Sequence, residues 1–338
     1  MMKTLNKYFI LFNNCIPVKG ASRSIICDLQ NQKYVFIPNN FYTILKDDLG
    51  KKISEIYEMY GASNEAILDE YFSYLIDNNL GFVDDEPELF PELNLDWDFP
   101  SAITNAQIDI DAETYNSATN KAVISELSAM NCQCVEFRFY KKANLQLLTE
   151  ILNQTKDSRI NEIRLILPFD EEIETSLKED LLYKHQRING ITFHSSQTYS
   201  KSSTKGVHMF YLKDDLDPSK CGEICPLSFV INVESFTESV NFNNCLNKKV
   251  AIDKDGYIKN CGSQSESFGN VNDTSLAKAI SDSKFQKLWH LKKDDIEVCK
   301  DCEFRYICTD CRMFKKEDSN VYSKPKKCTY DPYSTTWA

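Results

Sequence analysis

Residues 299–311 read CKDCEFRYICTDC, which places four cysteines, Cys299, Cys302, Cys308 and Cys311, within thirteen residues. Thiolates hold zinc tetrahedrally or supply the four protein ligands of a four-iron four-sulfur cluster. The last third of the chain holds nine of the thirteen cysteines: these four with Cys221, Cys225, Cys245, Cys261 and Cys328. Each Cys-x-x-Cys turn delivers two thiolates together. Between Cys245 and Cys261 the run LNKKVAIDKDGYIKN reads as two alternating segments about Asp255-Gly256, a hairpin that draws its ends together. Two metal readings follow. Zinc favours paired knuckles, but the five residues between Cys302 and Cys308 are short for the arms of a zinc ribbon. Two four-iron clusters require eight thiolates, and nine are present.

The rest of the chain must position these thiols. At 338 residues and 42% hydrophobic composition it has enough material for two or three domains. No apolar run reaches the length of a membrane span, and the N-terminal YFILF is cut short by Asn13 and Asn14, against a signal peptide. The expected location is the cytoplasm, where thiols stay reduced and ligate metal rather than pair as disulfides. A net charge of −11 and a pI near 5.0 argue against nucleic acid as partner, because that binding is mostly phosphate neutralisation. A basic partner is easier to accommodate.

The pattern predicts an α/β multidomain chain in four segments. Residues 1–84 show three strand-like runs, YFILF, SIICDL and KYVFIP, then three helical runs ending at Gly81 and a short strand GFV. This order suits a small winged-helix domain that recognises an extended peptide along an exposed β edge. A DNA-binding winged helix is the alternative, disfavoured by the acidic balance. The run DDEPELFPELNLDWDF at 84–99 has seven carboxylates and no basic residue, and residues 85–100 read as a linker. Residues 101–220 alternate strands and helices: AQIDID, CVEFRFY, INEIRLILPF and INGITFH with amphipathic runs between them. That alternation predicts βαβ units and a partial barrel, broken off by the Ser-rich SSQTYSKSST. Cys132 and Cys134 read as core thiols on one face of the second strand. Residues 221–338 form the cysteine-rich domain.

The ordered pattern Cys245-x10-Gly256-x4-Cys261, Cys299-x2-Cys302-x5-Cys308-x2-Cys311, then Cys328, resembles the SPASM domain, the auxiliary iron-sulfur domain of radical S-adenosylmethionine enzymes that mature peptides. The two-residue spacing between Cys308 and Cys311 departs from the three found in many members. The resemblance implies two [4Fe-4S] clusters: Cys245, Cys261 and Cys311 on the first, and Cys299, Cys302, Cys308 and Cys328 on the second. Cys221 completes the first, with Cys225 in reserve. The whole chain is similar to the peptide maturases encoded beside an ATP-grasp ligase, the grasp-with-spasm systems. That similarity implies a degenerate radical-enzyme barrel, a precursor peptide and an ATP-grasp ligase as partners, and graspetide-type biosynthesis.

Two features expected of a radical enzyme are absent. The loop after the first barrel strand reads DIDAETYNS, and no Cys-x3-Cys-x2-Cys occurs in the chain. The glycine-glycine-glutamate expected after the second strand is replaced by FRFYKKAN. The expectation is therefore an accessory maturase without binding of S-adenosylmethionine. Two alternatives are an enzyme that uses a cluster or the barrel mouth, where Asp109 and Asp111 lie, and a zinc-stabilised adaptor without redox activity. No Gly-rich phosphate loop is present, so ATP hydrolysis falls to a partner. The four histidines, His185, His194, His208 and His290, are scattered and read as structural.

Overall fold

A computed structural model describes residues 6–338; the first five residues of the expected N-terminal module lie outside them. The chain divides into two compact units. One gathers the chain up to Trp97 with Gly222–Asn244 and Leu291–Ala338, and the other gathers Asp98–Cys221 with Cys245–His290. Among the described residues no helix is long and apolar enough to cross a membrane.

The first unit opens with strands β1 (Tyr8–Leu11), β2 (Cys15–Val18), β3 (Ser24–Asp28) and β4 (Lys33–Ile37). Helices α1 (Asn39–Thr43), α2 (Ile53–Tyr60) and α3 (Glu65–Asp77) follow, then strand β5 (Gly81–Asp84). β1 pairs with β5, while β2, β3 and β4 form a separate antiparallel meander. The expectation of three leading strands misses β2, because Pro17 reads as a break. It lies on an edge strand, where its missing N–H costs little ladder bonding.

Gly81 does not end α3. The helix stops at Asp77, Asn79 takes the left-handed conformation at φ 54°, and the N–H groups of Leu80 and Asn79 return to the carbonyls of Leu75 and Ile76. Asn serves as the left-handed residue of a Schellman motif, which frees Gly81 for β5. There a Cβ would meet the Ile10 carbonyl at 2.4 Å.

β3 is buried at all five positions because it separates two cores. Ile26 joins Phe9, Phe41, Ile56, Leu68, Phe72 and Leu75 on the helical side. Ile25 and Cys27 join Phe236, Phe304, Ile307 and Tyr330 on the other. The period of two that sends alternate side chains to opposite faces thus ties the N-terminal meander to the cysteine-rich tail. The acidic connection is held down by its leucines: Leu93 and Leu95 pack on this second core, and Asn241 Nδ2 donates to the Leu95 carbonyl at 2.7 Å.

The second unit runs β6 (Asn105–Ile110), α4 (Ser117–Ala129), β7 (Cys134–Phe139), α5 (Leu145–Gln154) and β8 (Glu162–Pro168). Helix α6 (Glu171–Ser176), which continues as a wider coil to Leu181, leads to β9 (Ile188–His194). The helices start where the sequence supplies caps. Asn116, Asn144 and Asp170 each accept backbone N–H groups of the first turn. Strands β6 to β9 are parallel, as the βαβ alternation requires.

Two differences from the sequence expectation bear on the site. The Ser-rich stretch does not simply end the repeat: β10 (Ser200–Thr204) and β11 (Val207–Tyr211) form a hairpin whose second strand adds in parallel to β9. Ser and Thr side chains suit an exposed edge strand, so no hydrophobic pattern announced it. The hairpin β12 (Lys249–Ile252) and β13 (Ile258–Lys259) joins the same sheet, with β12 parallel to β6. The result is one eight-stranded, mostly parallel sheet that ends on antiparallel strands. Cys132 lies in the turn before β7, so it and Cys134 do not share a strand face. Burial pushes both thiols up to about 12.

Candidate metal centre

In the first unit the chain leaves Glu297, turns sharply and presents Cys299–Asp301 as a short 3-10 turn. The sharpness comes from Val298, held at φ 66°, a left-handed conformation that costs a β-branched residue of order 1–3 kcal/mol. Cys302 N–H closes the turn on the Cys299 carbonyl at 3.0 Å. Cys299, Cys302, Cys308 and Cys328 feel one another: Cys308 and Cys328 both act on Cys299, and Cys308 and Cys299 act on Cys302. Burial, partly opposed by Lys293, pushes the Cys299 thiol up to about 11, and burial also raises Cys302 and Cys308. Cys328 is anchored by a parallel bridge to Ile224.

The meander holds this knuckle from beside it. Ala21 N–H donates to the Asp301 carbonyl at 2.7 Å, and the Arg305 guanidinium donates to the Lys19 carbonyl. The Glu303 side chain, wholly buried, accepts from Arg23 Nε at 2.8 Å and the Tyr330 hydroxyl at 2.5 Å. Cys311 is buried against Gly222, whose φ is +83° and whose absent Cβ would fall 2.8 Å from Cys311 Sγ. Any side chain there would be strained and would displace the thiol.

Charged side chains invisible to motif reading surround the thiols. Lys293 is buried and its Nζ lies 3.5 Å from Cys308 Sγ. Asp310 is 3.9 Å from Lys293 but is engaged by Arg312 Nη2 at 2.7 Å and Asn243 Nδ2 at 2.9 Å. Asn244 Nδ2 donates to the Cys308 carbonyl at 3.1 Å. Burial by itself would lower the Lys293 pKa, yet Cys308, Cys299 and Asp310 carry it above the ordinary lysine value.

The second unit holds Cys221, Cys245 and Cys261. Asn260, buried beside Cys261, donates to the carbonyls of Leu246 and Lys249 at 2.9 and 2.8 Å. Its side chain thereby binds the two ends of the hairpin segment together. Lys249 is buried here as Lys293 is in the other unit. Desolvation opposes its charge, and the thiols of Cys245, Cys261 and Cys221, then Glu136, outweigh that and raise its pKa. Cys225 belongs to the first unit, where its N–H donates to Ser228 Oγ at 3.2 Å.

The thiols fit an anionic, thiolate-ligated group. A buried ammonium needs a nearby negative charge, and in the first unit the Lys293 ammonium has the Cys308 sulfur at 3.5 Å. No disulfide joins any of the thirteen cysteines. Among the described residues no three Cys, His or carboxylate side chains converge on a single metal-ion position.

At the end of β6 the acids are already engaged. Asp109 pairs with buried Arg138 at 2.6 Å, and Asp111 pairs with Lys141 at 2.9 Å while accepting Glu113 N–H at 3.1 Å. They line a cavity of about 240 Å³ with Tyr115, Asn116 and Asn120. Among the histidines, His194 is buried, with Nε2 2.9 Å from the Phe139 carbonyl and Nδ1 3.0 Å from Ser195 Oγ.

Residues 244–303 match the family model described as SPASM, an iron-sulfur cluster-binding domain. The matched span contains Cys245, Cys261, Cys299 and Cys302. Two solved structures of Streptococcus suis SuiB are similar. The one bound to S-adenosylmethionine has a TM-score of 0.41 and 10% identity, covering 95% of this chain and 97% of that one. The other has a TM-score of 0.38 and 11% identity, covering 96% and 98%. No curated protein matches the chain. The chain thus carries a SPASM iron-sulfur cluster-binding domain in its C-terminal part.

Proposed function

We propose that this chain is an accessory maturase of ribosomally synthesised, graspetide-type peptides that carries two [4Fe-4S] clusters and performs no radical S-adenosylmethionine chemistry. The observation that carries the reading is the SPASM match over residues 244–303, together with the buried Lys293 ammonium 3.5 Å from the Cys308 sulfur. Cys299, Cys302, Cys308 and Cys328 hold one cluster. Cys221, Cys245 and Cys261 supply the other; the assignment of Cys311 to it rests on the family resemblance alone. Bound there, the clusters provide one-electron chemistry or brace a loop-rich region with little core of its own.

The rest of the reading follows from the sequence. The absence of Cys-x3-Cys-x2-Cys after β6 supports a scaffold barrel. The N-terminal helices and strands act as a winged-helix-like recognition module. The edge of β4 receives the precursor peptide, and the acidic net charge favours a basic segment of it. An ATP-grasp ligase acts on the same peptide in the cytoplasm. A second reading, in which the barrel mouth modifies the peptide, is favoured by the cavity at the end of β6. The ion pairs that engage Asp109 and Asp111 weigh against it.

The test is iron, zinc and acid-labile sulfide per chain after anaerobic purification, with the absorption spectrum. About eight irons and eight sulfides, two four-iron clusters, are expected. Zinc without sulfide would overturn the reading.

A further inference from the structure

Lys293 and Arg312 are two fully buried cations, and Asp310 is the carboxylate set between them. Arg312 lies 2.7 Å from Asp310 and donates Nη1 to the Ser323 carbonyl at 2.8 Å, while its Nε and Nη2 and Asp310 Oδ1 complete no hydrogen bond. Lys293 sits at the margin of that pair and turns to sulfur. Its closest acceptor is Cys308 Sγ at 3.5 Å, and its carboxylate neighbour is farther away at 3.9 Å. A buried ammonium aimed at a neutral thiol is poorly compensated, whereas the same ammonium facing a thiolate is paired. The second unit holds a second buried ammonium: Lys249 lies in the hairpin segment bounded by Cys245 and Cys261, and Asn260, next to Cys261, donates to the Lys249 carbonyl at 2.8 Å. Lys293 lies outside the cysteine motifs and Lys249 at an unspecified position within the Cys245–Cys261 segment, and the two are far apart in sequence.

We propose that Lys293 and Lys249 are the fixed counter-cations of the two cysteine sets, each setting the reduction potential of the cluster its thiolates hold. The proposal rests on the two-cluster reading above. A cation against a ligating sulfur stabilises the reduced, more negative form of the cluster. Net charge and hydrogen bonds to the sulfurs are the levers through which protein tunes such centres. It makes both clusters easier to reduce and favours a role in electron transfer over simple bracing.

The test uses full-length protein purified anaerobically, with iron and sulfide counted, then titrated with redox mediators and followed by electron paramagnetic resonance. Lys293→Met keeps the length of the side chain and removes its charge. The expected result is full iron and sulfide, one midpoint shifted to a more negative potential and the other unchanged. Lys249→Met shifts the other midpoint, and Lys293→Arg restores the first. Unchanged midpoints in cluster-replete Lys293→Met and Lys249→Met overturn the proposal while leaving the two-cluster reading intact. Wild-type protein without iron or sulfide overturns both. If Lys293→Met loses one cluster, retention of that cluster in Lys293→Arg supports the counter-cation role. Loss in both variants overturns it, because packing then explains the residue.

Discussion

Arg138 in the second unit and Lys293 in the first are both buried cations, yet their surroundings differ. Arg138 meets the Asp109 carboxylate at 2.6 Å, with Nε also donating to it at 2.6 Å. Lys293 meets a thiol at 3.5 Å and only the margin of a shared carboxylate at 3.9 Å. The first is an ion pair with a carboxylate of the same chain, in which Arg138 Nη2 completes no hydrogen bond. The second is half of a pair whose other half is completed when the cysteines act as thiolate ligands. Burial and charge alone would have grouped these residues together; the chemistry of the nearest acceptor separates a structural pair from a binding site.

The largest expected effect separates the two surroundings directly. Cys302→Ala should lose about half of the iron and sulfide, one four-iron cluster of two, and should lower the thermal midpoint. Metal analysis and calorimetry check this, and full iron in the variant would remove Cys302 from the ligand set. Next in size, Arg138→Leu should destabilise the protein by about 3–5 kcal/mol by leaving Asp109 buried and unpaired, with iron content unchanged. Urea unfolding alongside metal analysis checks both halves. Loss of iron in Arg138→Leu would erase the distinction between the two cations.

A third test uses pH. Burial pushes the Asp109 carboxyl up to about 6, against the opposing pull of Arg138, so the folded chain binds this proton more tightly than the unfolded one while the carboxylate stays paired at neutral pH. Its contribution to stability is full below about pH 4 and is lost as pH rises through 6, amounting to roughly 2–3 kcal/mol. The unfolding free energy of Asp109→Asn should lack that part of the pH profile. The smallest effect concerns a thiol with no cation beside it. Cys132 is wholly buried and donates to the Cys134 carbonyl at 3.3 Å. Cys132→Ser should cost about 1 kcal/mol and leave iron and sulfide untouched, whereas replacing a ligand removes metal.

Much of the fold was legible because its signals are local. The βαβ alternation announced β6 to β9, the Asp255-Gly256 turn announced the hairpin, and apolar spacing announced the helices. Local rules erred where a residue type has two uses. Pro17 marks an edge strand as readily as a break, serines fill an exposed strand as readily as a linker, and Asn79 ends a helix in the role expected of Gly81. In the site the thiols were legible and their electrostatic partners were not. Lys293 and Arg312 lie outside the cysteine motifs, Lys249, Asn260 and Asp310 occupy unspecified positions within them, and nothing in their local sequence separates them from solvated residues.

By itself the sequence determined which atoms are available as ligands and the order in which they come. Cysteines on knuckles and hairpins must be spaced so that short backbone turns bring sulfurs together, and that constraint is written into consecutive residues. The tertiary structure decided the rest. Pairing of β12 with β6 places Lys249 in the sheet, and the alternating faces of β3 bind the meander to Phe304 and Tyr330. Packing also removes water from Lys293 and Arg312. A lysine has the same local preferences in water and in a core; only long-range packing withdraws its solvent and makes its charge depend on the sulfur it faces.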